Sequence, residues 1–227
     1  MKKYSRYQVA TAIAILFHAI GLAGILFINK DLFIRTTPYH LLLMGILLFY
    51  TAKKINLGFL IFFLLCATTG IGVEIIGTST GALFGDYMYG TVLGPMIKNV
   101  PLILGINWFI IIYCAGATVH SIFSKLSQNT GEQNLASSPL IKALSVIIDG
   151  ATLAVFFDFI LEPAAVKLGY WQWLTADIPL FNYTCWIFVS ALLLTAFYFL
   201  PFPKNNKFAV HLLLIQLMFF MLIRVFL

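Results

Sequence analysis

Charged residues are scarce in this chain of 227 residues: Asp, Glu, Lys and Arg together make up only 10% of it. An ordinary soluble domain carries about 25% charged residues. Hydrophobic residues reach 61%, and the mean hydropathy is +0.97. The shortage of charge excludes an ordinary soluble domain. The composition instead predicts one all-α, polytopic membrane helix bundle over residues 1–227.

Cysteine is equally sparse, and its placement excludes further classes. The three cysteines are odd in number and lie inside predicted helices, so neither a disulfide framework nor a CxxC metal pair is available. They are Cys66, Cys114 and Cys185. Three histidines lie on separate predicted helices without the spacing of metal ligands: His18, His120 and His211. We therefore expect no metal or redox cofactor. Nucleic acid is not an expected partner either, because no basic stripe alternates with aromatics on a soluble domain.

Apolar runs long enough to cross a bilayer recur along the chain. They are Val9–Ile28, Leu57–Gly77, Pro101–Phe123, Pro139–Leu161, Leu180–Leu200 and Phe208–Leu227. A shorter run, Tyr39–Ala52, is ambiguous. As a helix it would reach only about 21 Å, against a hydrocarbon core of roughly 30 Å.

The distribution of basic residues favours seven spans. If Tyr39–Ala52 crosses, nine of the fourteen basic residues share one side, and if it does not, the bias reverses. The nine are Lys2, Lys3, Arg6, Lys53, Lys54, Lys125, Lys142, Lys204 and Lys207. The positive-inside rule then predicts a cytoplasmic amino terminus in a cell (inner) membrane. The first run lacks a small-residue cleavage site, so we expect a retained helix and not a cleaved signal peptide.

Two segments between the spans differ in character. Ser124–Ser138 is rich in polar residues, which predicts a cytoplasmic linker over about residues 124–138. Thr78–Lys98 carries several glycines and Pro95, which work against a regular helix. We expect this segment to form a loop over the outer mouth of the bundle, either partly re-entrant or lying on the surface.

Acidic residues concentrate at that same outer end. Each costs about 2.5 to 3.5 kcal/mol in the middle of a span, so acids there usually have a function. Glu74 and Asp158 lie near the outer ends of the third and fifth predicted spans, at a shared depth, and Glu162 follows Asp158 by one helical turn. Asp86 and Asp177 lie in the adjoining loops. Acids clustered in a low dielectric cannot all remain ionised, so we expect a protonated acid near neutral pH. The alternative is that these acids only hold the helices together.

Aromatic residues are enriched at the same end. They are Tyr87, Tyr89, Trp108, Tyr170, Trp171, Trp173, Tyr183 and Trp186. An interfacial aromatic belt would explain such residues. Aromatic faces also stabilise cations. With a protonated acid and an apolar cavity, they suit protonation of an isolated carbon-carbon double bond in a lipid.

Two stretches of sequence form a recognisable pattern. The first contains Gly72–Gly77, Thr80-Gly81, Phe84–Gly90, Leu93-Gly94-Pro95, Val100-Pro101 and Asn107-Trp108. The second contains Asp158, Glu162-Pro163, Tyr170–Trp173, Ile178–Tyr183 and Trp186. Together they resemble the carotenoid 1,2-hydratase family of membrane proteins. Two positions depart from the pattern, because Asp-Pro is expected at Glu162-Pro163 and histidine is often expected at Met88.

The resemblance implies a multi-pass enzyme that adds water across the terminal C1=C2 double bond of acyclic ψ-end carotenoids. The substrate would then be a carotenoid within the bilayer. Combined with the acid cluster, the resemblance suggests Glu74 or Asp158 as the proton donor and Asp86 or Glu162 as the group that orients water. The substrate-binding residues would be Tyr87, Tyr89, Trp108, Tyr170, Trp171, Trp173, Asn182 and Trp186.

Three other functions fit parts of the sequence. A carotenoid cyclase forms a related cation, and a proton-coupled transporter also uses acids within the membrane. The third is a serine hydrolase, because Gly77–Gly81 spells G-x-S-x-G around Ser79, with His40 as the only plausible partner. That motif requires a strand-turn-helix elbow, whereas here it follows a predicted span. The sequence leaves the particular carotenoid, the number of ends modified and the oligomeric state open.

Overall fold

The computed structural model describes residues 4–129, 138–175 and 177–227. Within these residues it has eight α-helices and four short strands. The helices are α1 (Arg6–Ala23), α2 (Lys30–Arg35), α3 (Thr37–Thr51), α4 (Leu57–Thr80), α5 (Ile103–Asn129), α6 (Pro139–Lys167), α7 (Leu180–Phe199) and α8 (Lys207–Phe226). The strands are β1 (Tyr87–Tyr89), β2 (Met96–Ile97), β3 (Val100–Pro101) and β4 (Trp171–Trp173). A π-helical turn, Gly24–Ile28, extends α1.

Helices dominate the fold, and six of those described are long and apolar enough to cross a membrane. The prediction of an all-α, multi-pass membrane bundle is therefore confirmed. Helix α5 lies at the centre and packs against α3, α4, α6, α7 and α8. Its segment from Trp108 to Ala115 is almost entirely buried, because neighbouring helices surround it.

The short helix α3 runs from one end of the bundle to the other. At its start, the hydroxyl groups of Thr37 and Tyr170 are 2.8 Å apart, at the end that carries β1 and β4. At its finish, the side chain of Asn206, just before α8, donates to Thr51 Oγ1 at 3.1 Å. The two termini of α3, which contains most of the ambiguous apolar run, thus lie at opposite ends of the bundle, as seven crossings require. Which end faces the cytoplasm stays a prediction.

Helix α6 continues beyond its predicted end at Leu161. The apolar run that predicts this span ends at Leu161, whereas α6 passes through Pro163 to Lys167. Proline removes one backbone hydrogen bond. Burial of the next residues offsets this loss: Ala164 and Ala165 are completely buried, and the Leu168 amide bonds to the Ala164 carbonyl at 2.9 Å.

The predicted polar linker overlaps the end of α5. Helix α5 continues through Ser124 to Asn129, and residues 130–137 lie outside the described part of the chain. The linker between α5 and α6 therefore stays a prediction.

The loop after α4 covers one end of the bundle, as expected from its glycines. Gly81 ends α4 in a left-handed conformation with φ +64°. Strand β1 then pairs antiparallel with β4, which follows α6. Strands β2 and β3 form a hairpin whose two turn residues, Lys98 and Asn99, have φ of 47° and 64°. Two positive φ values are the signature of a tight type I′ turn.

Candidate active site

Glu74 lies on the buried face of α4 and accepts three hydrogen bonds. Its Oε2 accepts from the hydroxyls of Tyr87, at 2.5 Å, and Tyr89, at 2.6 Å. Its Oε1 accepts from Trp108 Nε1 at 3.0 Å. Such short O–H···O contacts are typical of an ionised acceptor. Three donors therefore suit the carboxylate form of Glu74.

Two glycines on the same face of α4 give these partners room. A Cβ on Gly70 would lie 2.5 Å from the Trp108 ring, and one on Gly77 would lie 2.7 Å from the Tyr87 hydroxyl. Any larger residue would therefore displace one of the donors to Glu74.

Asp158 and Glu162 occupy successive turns of α6, on the face expected from their spacing. The side-chain amide of Asn182, on α7, donates to Asp158 Oδ2 at 2.9 Å and lies 3.4 Å from Glu162 Oε1. The ring N–H groups of Trp171 and Trp173 both donate to Glu162 Oε2 at 2.9 Å. Asn182 thus links the two acids.

The β1–β4 pair brings the donors of the two acid groups together. In this ladder Tyr87 pairs with Trp173 and Tyr89 with Trp171. The rings of each pair are close but not parallel: their centroids are 5.3 Å and 6.0 Å apart, and their planes are inclined at 45° and 79°. Because side chains alternate across a strand, Met88 points to the opposite face and is 44% exposed. The missing histidine at this position is therefore outside the acid cluster.

All three acids line a single small cavity with these aromatic residues. Its volume is about 30 Å³. Trp108 and Trp186 stack on its wall, with centroids 4.1 Å apart and planes 11° from parallel. Helices α4 and α6 thus contribute their acids to one chamber.

The chamber is electrostatically unusual because neutral donors satisfy its acids. Glu74 is 6% exposed, Asp158 1% and Glu162 3%. Among the described residues, the hydrogen-bond partners of these acids are tyrosine, tryptophan and asparagine side chains. Burial, followed by the charge of Glu74, raises the pKa of Tyr87 and of Tyr89. Both phenols therefore stay protonated and remain donors.

Some predicted residues lie outside the chamber. Asp86 is exposed, with its carboxylate beside Gly81, and its backbone carbonyl accepts from the Leu174 amide at 2.9 Å. Tyr170 contacts Thr37 and lines a separate cavity. The structure therefore brings together Glu74, Asp158 and Glu162, but it does not bring Asp86 or Tyr170 to them.

Four other lining residues were not predicted as site residues. They are Phe84, Leu104, Asn107 and Leu161. Phe84 and Asn107 do lie in the first recognisable stretch, and Asn107 is also a polar residue in an apolar span beside Trp108.

The serine hydrolase motif does not form its required elbow. Ser79 lies within helix α4, and its hydroxyl donates to the Ile75 carbonyl at 2.5 Å. The proposed partner, His40, packs its ring against His18. The G-x-S-x-G letters are therefore a helical segment without a nucleophile's geometry.

Comparison with known proteins shows which family the chain belongs to. Residues 36–227 match a family model described as "Carotenoid biosynthesis protein". The chain belongs to this family. One relative is a bisanhydrobacterioruberin hydratase from Haloarcula japonica, 29% identical over 132 residues, which cover 56% of this chain and 41% of that protein. No solved structure matches the chain.

The family match includes both stretches that carried the resemblance. It begins at residue 36, just before α3, and therefore contains all the helices and strands that build the chamber. The resemblance to carotenoid biosynthesis enzymes is thereby confirmed.

Proposed function

We propose that this protein is a carotenoid hydratase that adds water to the terminal C1=C2 double bond of an acyclic ψ end. The observation that carries the proposal is the single chamber in which Glu74, Asp158 and Glu162 meet under four tryptophan rings. Family membership supports a carotenoid substrate, and the relative's name supports water addition. The matched segment covers only 41% of that relative, so a hydratase activity of this chain is a proposal.

Asp158 is the best candidate for the proton donor. Glu74 accepts from three donors, and Glu162 from two indole N–H groups, with the Asn182 amide 3.4 Å away. Asp158 accepts only from Asn182 among the described residues. A carboxyl group with few donors gains least from being ionised, so Asp158 is best suited to hold a proton. In the proposed step this proton passes to C2, and the π electrons of the double bond form the new C2–H bond.

The tertiary cation at C1 then needs stabilisation without a competing nucleophile. Trp171, Trp173 and Trp108 line the chamber, and in this proposal their rings provide electron-rich surfaces. Each such contact contributes about 0.5 to 2 kcal/mol, most where water is excluded. In this proposal Glu74 is the carboxylate that its three donors favour, and it adds a negative charge to the chamber.

Glu162 is the group that we assign to water. Both indole N–H groups bond to its Oε2, which leaves Oε1 less occupied. Water attacks C1, Glu162 accepts the proton released, and transfer back to Asp158 restores the starting state. The sum is one water added across one double bond, by general acid-base catalysis. None of these steps uses Asp86, since its side chain is exposed.

Pigment analysis in a lycopene-producing bacterium tests the reaction. We expect expression of the wild-type protein to give pigments heavier by one water. Asp158→Asn should lower product formation by about 100-fold or more, because general acid catalysis typically contributes that much. Asp149→Asn is the matched control, because Asp149 is on the same helix, is hydrogen-bonded to Ser145, and lies outside the chamber. Full activity in Asp158→Asn would contradict the assignment.

A carotenoid cyclase remains the second candidate, because the same acids and rings would suit a cation that is captured within the molecule. Its product would be an isomer of the precursor. A new pigment of unchanged mass would therefore indicate cyclisation in place of hydration. The chamber would still be the proposed active site.

A further inference from the structure

A second and much larger cavity opens at the other end of the bundle. Its volume is about 730 Å³, within the range of about 300 to 1,000 Å³ that is typical of ligand sites. Residues from the starts of α1 and α8, from the end of α3 and from the last turns of α5 line it. The acid chamber is at the far end of α3, so the two sites are separate.

Every charged residue that the structure places in the wall of this cavity is basic. They are Arg6, Lys53, Lys125 and Lys207. The positive-inside rule calls for basic residues at this end, but it does not call for four of them around one concavity. All four side chains are exposed, and their like charges favour an anion in the cavity. No ion pair with an acid is seen for these four within the described ranges 4–129, 138–175 and 177–227.

The polar wall of the cavity is held in place by hydrogen bonds. Asn206 accepts from the amides of Phe208 and Ala209 at the start of α8, while its amide bonds to Thr51 on α3. His211 contacts Thr11 of α1 at 2.8 Å. Lys207 lies 5.1 Å above the ring of Tyr7. The amino ends of α1 and α8 add their positive dipole ends to the same space.

We propose that this cavity binds a phosphate group, presented by the headgroup of an anionic phospholipid in the adjoining leaflet. Basic pockets between membrane helices bind such headgroups through lysine and arginine. The cavity lies where the helices end, so a headgroup can enter it while the acyl chains stay in the bilayer. This site is independent of carotenoid chemistry and acts at the end of the molecule opposite Asp158.

Native mass spectrometry of the full-length protein in neutral detergent tests the site. We expect the wild-type protein to retain phosphatidylglycerol in preference to phosphatidylcholine. The triple variant Lys53→Gln, Lys125→Gln, Lys207→Gln should lower the affinity for phosphatidylglycerol by about 100-fold, because each lysine contributes about 1 kcal/mol to binding an anionic lipid. The control Lys30→Gln, Lys98→Gln, Lys167→Gln makes the same change in charge at the other end and should leave the affinity unchanged.

A competition with inorganic pyrophosphate identifies the source of the phosphate. If pyrophosphate leaves the lipid bound to the wild-type protein, the headgroup is the ligand. If pyrophosphate displaces the lipid at equal concentration, the site takes a soluble phosphate. An equal affinity for both lipids with no effect of pyrophosphate would overturn the proposal. So would an equal loss in both triple variants. Pigment production by the first triple variant should stay normal, which separates this result from the hydratase proposal.

Discussion

At the scale of single residues, the chamber relies on neutral donors to hold buried acids. Glu74 keeps the partners that a carboxylate needs, whereas Asp158 has one. A lysine or arginine beside these acids would keep them all ionised, and no proton would be available for an alkene. In the proposed mechanism, the tyrosine and tryptophan donors also supply aromatic rings for the carbocation, so one set of residues would serve both needs.

The titration of Tyr87 and Tyr89 is a prediction at this scale. Burial and the charge of Glu74 raise the pKa of both phenols in the folded protein above the value of about 10 in an unfolded chain. Their contribution to stability is therefore complete below about pH 10 and decreases as pH rises above it. Tyrosinate absorbance up to about pH 11 should be the same for the wild-type protein and for the double variant Tyr87→Phe, Tyr89→Phe.

Unfolding provides the internal control for this titration. Once denatured at the same pH, the wild-type protein should show two more ionised tyrosines than the double variant. A smaller tyrosinate signal from the folded double variant would mean that these phenols ionise in the folded state, and would contradict the arrangement around Glu74.

At the scale of elements, the β1–β4 ladder is the part that assembles the site. Strand β1 follows α4 and strand β4 follows α6, so their pairing joins the donors of Glu74 to those of Glu162. Each strand has only three residues. Helix packing on both sides must support such a short ladder, because two isolated strands are marginal in water.

Strand alternation predicts opposite results at neighbouring positions. Met88→His should leave product formation within about twofold of wild type, because this side chain points away from the chamber and surface changes usually have small effects. Tyr87→Phe removes a 2.5 Å donor to Glu74 and should lower product formation by about tenfold or more, given about 1.5 to 3 kcal/mol for a hydrogen bond to a charged group. Pigment quantification at matched protein levels makes the comparison. A stronger effect at Met88 than at Tyr87 would contradict the assignment of Tyr87 to the chamber face of β1 and of Met88 to the opposite face.

At the scale of the whole molecule, the structure is a bundle with two chemically different ends. Aromatic and acidic groups gather under the short strands at one end, and basic groups surround the large cavity at the other. Helix α3 joins the two ends with only 15 residues, about 22 Å of helix. The flanking turns must make up the remaining thickness of the hydrocarbon core.

Labelling of engineered cysteines tests this arrangement in the membrane. The native thiols of Cys66, Cys114 and Cys185 are buried, so they should give little background. A membrane-impermeant maleimide should reach Tyr4→Cys and Lys54→Cys from the same side and Lys30→Cys from the opposite side. Reaction of Lys30→Cys and Lys54→Cys from one side would show that α3 does not cross.

Much of this protein could be predicted from its residues in order. Apolar runs determined the bundle, because lipid accepts only segments whose backbone is bonded within a helix. Helical spacing placed Asp158 and Glu162 on one face, and charge bias favoured a crossing by the short helix. These predictions needed only local periodicity and counts of charge.

Tertiary structure decided what local patterns could not. The extension of α6 through Pro163 depended on burial of Ala164 and Ala165, and the absence of Asp86 from the chamber depended on the path of its loop. Likewise, the pairing of Tyr87 with Trp173 joins residues far apart in the chain. The sequence alone determined that the chain forms a membrane helix bundle and that its acidic and aromatic residues are concentrated at one end of it. Only packing decided which atoms meet, because contacts between distant segments depend on every helix that lies between them.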